Sequence, residues 1–128
     1  MGKEAIVLCD TNTLIHYFNN HQPTIDKVNS IGHLNVLLSS ITIMELYRGM
    51  GNKKELKEMQ KKIKGYSVMN FNAEISMLAI ELITDFKLSH DLKIPDAIIG
   101  ASAIIYNIPL FTYNKKDFKF MPGITLYS

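Results

Sequence analysis

The chain has 128 residues, 47% of them apolar and 20% charged, with a formal net charge of +2. This is the composition of one globular domain able to bury a core; it excludes a disordered chain, and the charge alone is too small to argue for a nucleic-acid partner. The single cysteine, Cys9, excludes an internal disulfide and a Cys-x-x-Cys zinc ribbon and fits a reducing cytosol, while no secretory leader and no run near the roughly 18 apolar residues of a membrane span is visible.

Read in chain order, strand-like apolar runs alternate with helical patterns. "AIVLC" (5–9) is a continuous apolar run, as expected of a strand buried on both faces. "TNTLIHYFNN" follows, with Leu14, Ile15 and Phe18 on one helical face. "HLNVLLSS" (33–40) is a second strand, and "ITIMELYRGM" (41–50) a helix opened by Ser39 or Ser40 and closed near Gly49 or Gly51. "NKKELKEMQKKIKG" (52–65) is a polar helix with Leu56, Met59 and Ile63 at helical spacing, stopped by Gly65. "YSVMNF" (66–71) is a third strand, and "NAEISMLAIELITDFKL" (72–88) a long helix capped by Asn72. "IPDAIIGASAIIYN" (94–107) is a helix with Pro95 near its first turn, "IPLFTYN" (108–114) a fourth strand, and "ITLYS" a candidate fifth at an edge. The alternation predicts a three-layer α/β/α sandwich around a mostly parallel sheet.

In such a sheet, sites form beyond the carboxyl ends of the strands. Asp10 ends the first strand, Glu45 lies early in the helix after the second, Asp96 sits in the first turn of its helix, and Asn114 and Asp117 follow the fourth strand. Four separate segments thus send acids or an amide to one edge. Gathered carboxylates repel one another and persist mainly with bound cations. All-oxygen donors of this kind suit Mg²⁺ or Mn²⁺, which can promote hydrolysis of a phosphodiester.

Each acid also has an ordinary structural reading. Asp10 can cap the following helix, and Asp96 can favour a helix dipole. Glu45, between Met44 and Leu46, can pair with Arg48 three residues on, and Asp117 can be a surface acid in a Lys-rich loop. Their joint placement at strand ends and helix starts is what favours a site.

With those residues in place, the chain resembles a PIN-domain ribonuclease and, within that superfamily, the VapC toxins of toxin–antitoxin pairs. The matching stretches are "VLCDTNTLIHYF", "SSITIMELYRG", "IPDAIIGASAIIYNIPLFTYNKKDF" and "MPGITLYS". The resemblance implies a single PIN domain over 1–128 and a Mg²⁺- or Mn²⁺-dependent cytoplasmic endoribonuclease. It also implies an RNA substrate, a VapB-type antitoxin and a homodimer. Asp10, Glu45 and Asp96 match the family's three acids; the fourth position is either Asn114 or Asp117. Thr11 and Asn12 match the polar pair after the first acid, Thr112 a hydroxyl before the fourth position, and Gly100, Ala101, Ser102 and Ala103 a small-residue segment that allows close helix packing. Asp10 and Asp96 would bind the metal, and Glu45 would bind a second ion or orient the attacking water.

Lys115, Lys116 and Lys119 stand where they could hold an RNA backbone, and Lys53, Lys54, Lys57, Lys61, Lys62 and Lys64 form either a second basic stripe or a solvated face. Tyr47, Tyr113 and Phe118 are candidates for base stacking or for the core. The helix at 72–88 carries a second apolar face, Met77, Ile80 and Ile83, that asks for a covering partner. Two rival Asp-initiated classes fit less well: a haloacid-dehalogenase-type phosphatase needs a second Asp at position 12, which is Asn12, and a receiver domain needs an acidic pair before its first helix. The remaining alternatives are a catalytically degenerate PIN domain that only binds protein or RNA, and an RNA-processing PIN nuclease outside a toxin–antitoxin system.

Overall fold

A computed structural model describes residues 5–128. Its strands are β1 (Val7–Cys9), β2 (Val36–Ser39), β3 (Ser67–Met69) and β4 (Leu110–Phe111), and its helices are α1 (Thr11–Phe18), α2 (Gln22–Ile31), α3 (Ser40–Arg48), α4 (Lys53–Ile63), α5 (Ala73–His90) and α6 (Ile94–Ile105). All pairings are parallel, in the order β3-β2-β1-β4. The chain steps outward from β1 to β2 to β3, then crosses back to place β4 on the far side of β1. The strand order therefore reverses between β1 and β4, where open α/β sheets place their sites.

Alternation along the strands separates two cores. Val7, Cys9, Val36, Leu38 and Phe111 face α1–α4, packing on Leu14, Val28, Leu46, Met59 and Ile63. Leu8 and Leu110 face α5 and α6, packing on Ile75, Leu82, Ile99 and Ala101. Apolar cover on both faces explains why the first strand reads as an unbroken apolar run. Sequential parallel steps in one direction put their helices on one face, and the reversed step puts α5 and α6 on the other, as right-handed crossovers require.

Ser39 and Asn72 cap their helices as the sequence suggests, and Asn52, not singled out there, caps α4. Ser39 Oγ accepts from Ile41 N at 3.2 Å, Asn52 Oδ1 from Glu55 N at 2.9 Å and Asn72 Oδ1 from Ile75 N at 2.8 Å. Beyond α4, Gly65 takes φ +99, a conformation that side chains strain to adopt. Gly100 is the tight point of α6: a Cβ there would overlap the Met121 side chain, so the small-residue segment lets the C-terminal stretch close over the helix.

Three features differ from the sequence reading. α2 was not predicted, although Thr24, Val28 and Ile31, all buried, stand at helical spacing behind Pro23. "ITLYS" forms one parallel bridge, Leu110 to Leu126, instead of a full strand; Leu110 N donates to Thr125 O at 2.9 Å and Tyr127 N to Leu110 O at 2.8 Å. Phe118 is fully buried in the α5–α6 core, which removes it from any stacking role.

Candidate active site

Asp10 leaves β1 and caps α1. Its Oδ1 accepts from Thr11 N at 2.7 Å, and its Oδ2 accepts from the Thr112 hydroxyl at 2.8 Å, just beyond β4. Asp10 as a whole is 4% exposed. Burial raises its pKa; the bonds from Thr112 and Thr11 oppose that rise, and the charges of Glu45 and Asp117 add to it. Thr112 Oγ1 also accepts from Asn114 N at 3.0 Å, so one hydroxyl ties the Asp10 carboxylate to the turn after β4.

Glu45 projects from the middle of α3. The Thr11 hydroxyl donates to its Oε1 at 2.7 Å and lies 3.0 Å from the buried Thr42 hydroxyl one turn earlier on α3. Thr11 therefore joins the start of α1 to α3. The alternative Glu45–Arg48 ion pair does not form; Arg48 is exposed on the last turn of α3. Asn12 is exposed on α1.

Asp96 lies in the first turn of α6, partly buried. Its pKa is pushed up to about 7, first by burial and then by Asp10, Asp117 and Glu45, with Lys93 opposing. That coupling places all four acids in one electrostatic neighbourhood. Asp117 is exposed on a 3-10 turn, Lys115–Asp117, in which Asp117 N donates to Asn114 O at 3.0 Å. The turn carries Asp117 back toward α6, where it lines a pocket of about 190 Å³ with Asp96, Lys93 and His90. Asn114 contributes its main chain, and Lys115 is exposed on the same turn.

Among the described residues no ion pair reaches Asp10, Glu45, Asp96 or Asp117; both salt bridges found go to Asp91, from Lys87 at 3.2 Å and Lys93 at 3.0 Å. Nor do any three His, Cys, Asp or Glu side chains among them stand close enough to form a ready-made ligand set. The residues nevertheless fit a hard divalent cation in donor type and charge: they are carboxylates, held near one another with no ion pair to any of them among the described residues.

Two contributors had a weak sequence signal or none. Thr42 is silent because a threonine inside an apolar half-helix reads as filler. Lys93 is the nearest basic influence on Asp96, yet "DLKIPD" reads as a surface loop.

The PIN domain family model matches residues 7–123, and the chain belongs to that family. It is 28% identical to Ribonuclease VapC2 of Rickettsia felis, over 94% of this chain and 96% of that protein. It is also 28% identical to Ribonuclease VapC1 of Methanocaldococcus jannaschii, over 98% of this chain and 89% of that one. Among solved structures it is similar to VapBC2 of Rickettsia felis bound to a DNA fragment from its promoter, with TM-score 0.78 and 27% identity over 95% of this chain and 97% of the other. No helix among the described residues is long and apolar enough to cross a membrane.

Proposed function

We propose that this chain is a Mg²⁺- or Mn²⁺-dependent endoribonuclease, the VapC-type toxin of a toxin–antitoxin pair. The observation that carries the reading is four acids from four segments at the switch point of the sheet, with Asp96 pushed up to about 7 by burial and by the other three. The relatives named ribonucleases and the VapBC complex of similar fold give the nuclease and toxin assignment. The intact Asp10, Glu45 and Asp96 favour an enzyme over a degenerate binding module.

In this reading Asp10 and Asp96 hold the metal, with Glu45 at a second ion or at the attacking water. Bound Mg²⁺ or Mn²⁺ supplies positive charge to the phosphodiester and to the leaving 3′ oxygen. Thr11 and Thr112 hold the Glu45 and Asp10 carboxylates in place before substrate arrives, which limits the reorganisation needed at the moment of reaction. Asp117 is assigned to the fourth position, with Asn114 shaping the turn. Lys115, Lys116 and Lys119, all exposed, supply phosphate contacts.

Two apolar surfaces suit the protein partners. On α5, Met77 and Ile80 are 69% and 68% exposed, and Ile80 with Ile83 borders a groove of about 400 Å³ against α6; we assign this face to a homodimer contact. Between α1, α3 and α4 a groove of about 380 Å³, lined by Ile15, Phe18, Leu46 and Met59, reaches Glu45 and suits an amphipathic antitoxin helix. The functional test is cleavage of single-stranded RNA by the purified chain. It should occur in Mg²⁺, stop with chelator and return when metal is restored. Full activity in excess chelator would overturn the metal assignment.

A further inference from the structure

One residue beyond Thr112, the donor to Asp10, begins a group of rings that the proposed chemistry does not use. His16 on α1, His21 at the start of α2 and Tyr113 just past β4 form one cluster. The His16 and Tyr113 centroids are 5.3 Å apart with ring planes at 85°, His16 and His21 are 5.1 Å apart, and His21 and Tyr113 are 6.0 Å apart. In an edge-to-face pair the ring offering its edge keeps both faces clear of its partner. Both histidines are exposed, and Tyr113 is 39% exposed.

The cluster is held in place from below. Thr24 on α2 is fully buried, and its hydroxyl is 2.7 Å from the Tyr113 hydroxyl and 2.7 Å from His21 Nδ1. One buried side chain thus fixes two surface rings. Tyr113 also contacts the buried Phe111 ring at 5.4 Å. Surface rings with rotamers fixed by buried partners form a rigid contact surface that loses little entropy on binding.

Position selects the occupant. Tyr113 directly follows Thr112, which donates to Asp10, and directly precedes Asn114 and the exposed Lys115 and Lys116. A strand whose phosphate lay at the acids, with its backbone along those lysines, would pass Tyr113, the residue next to the Thr112 that holds Asp10. Aromatic stacking on unpaired bases together with basic side chains is a general mode of single-strand recognition.

We infer that His16, His21 and Tyr113 form a base-stacking platform that holds a nucleotide of single-stranded RNA beside the scissile phosphate. This deepens the ribonuclease reading and rests on it. The rings are positioning residues; they touch the substrate base and not the reacting atoms.

The test uses full-length chain carrying Asp10→Asn to block cleavage. Its affinity is measured by fluorescence anisotropy for a mixed-sequence single-stranded RNA 12-mer and for an abasic ribose-phosphate oligomer of equal length. Adding His16→Ala with Tyr113→Leu should weaken RNA binding about tenfold, within the span that base stacking covers, and leave the abasic oligomer unchanged. Tyr113→Phe, which keeps the ring and loses the Thr24 contact, should retain most of the RNA affinity. In the cleaving chain the double variant should raise KM more than it lowers kcat. Equal losses on both oligomers, or none on RNA, would overturn the platform. So would unchanged RNA binding accompanied by weaker self-association, which would assign the rings to a protein contact. A parent chain that cleaves RNA but binds both oligomers equally would remove the platform and leave the nuclease standing; a chain that never cleaves RNA would remove the nuclease reading itself.

Discussion

The two sides of the acidic edge are built differently. On the β1 side, Asp10 is buried and both its oxygens accept hydrogen bonds, while Glu45 accepts from Thr11. On the α6 side, Asp96 and Asp117 face a small pocket, and Lys93 near them is drawn toward Asp91. The first side is a carboxylate frame satisfied by neutral donors and set before anything binds. The second is charge held together by the fold and awaiting compensation. Hydroxyls fix geometry without cancelling charge, so the frame still attracts a cation. In the proposed metal-dependent reading, the first side would set the position of a bound ion and the second would respond to its arrival.

Disabling either side outright should have the largest effect. Asp10→Asn and Asp96→Asn should each lower RNA cleavage by about 10²–10³-fold, the scale of losing a principal charge-stabilising group. The Asp10 variant should also disturb the Thr112 contact, because one amide orientation offers the threonine a donor where it needs an acceptor. Measuring single-turnover rates beside circular dichroism separates lost chemistry from lost fold.

The fourth position sharpens the responsive side. Asp117→Asn should cost more cleavage than Asn114→Ala, by about tenfold (some 1.4 kcal/mol), with both variants folded. Wild-type cleavage from Asp117→Asn together with a dead Asn114→Ala would reverse that assignment.

Thr112→Val probes the frame. It removes the donor to Asp10 Oδ2 and the acceptor for Asn114 N, a loss of about 1–3 kcal/mol for buried polar groups left unpaired. The unfolding midpoint should fall by several degrees, and the Asp10 carboxyl should move further up, because the opposing Thr112 bond is gone.

The smallest effect is the pH dependence of the metal-free protein. The Asp96 carboxyl lies at about 7 in the fold against an ordinary 3.8, so the folded chain keeps a proton that the unfolded chain releases. Its contribution to stability is complete below about pH 4, declines as pH rises and is gone above about pH 7. In chelator, Asp96→Asn should flatten the fall in melting temperature over that window, by about 2–5 °C, and Mg²⁺ should raise the wild-type midpoint at pH 8 more than that of the variant. Differential scanning fluorimetry at a series of pH values reads both.

Much of this was legible in the chain. The run "AIVLC" gave a strand covered on both faces because apolar side chains alternate between two cores. The shared neighbourhood of Asp10, Glu45, Asp96 and Asp117 was legible because strand ends and helix starts fall on one edge of a parallel sheet. The true partner of Glu45 was not legible: Arg48 at helical spacing stood as the ordinary alternative, whereas Thr11 lies far away in sequence and meets Glu45 only after α1 and α3 pack. α2 escaped because its buried set is short and polar at one end, with Thr24 among it. Of the ring cluster only Tyr113 was singled out, as a stacking candidate: His16, His21 and Tyr113 come from three segments, and no local pattern joins them.

The central claim, metal-dependent RNA cleavage at this edge, is tested most directly in one assay. Wild type, Asp10→Asn and Asp96→Asn are purified identically and given a fluorescent single-stranded RNA in Mg²⁺, in excess chelator, and after metal is restored. The account predicts cleavage by wild type in Mg²⁺ and after restoration, none in chelator, and little from either variant under any condition. Equal cleavage by all three proteins, or cleavage by wild type that survives the chelator, would contradict it.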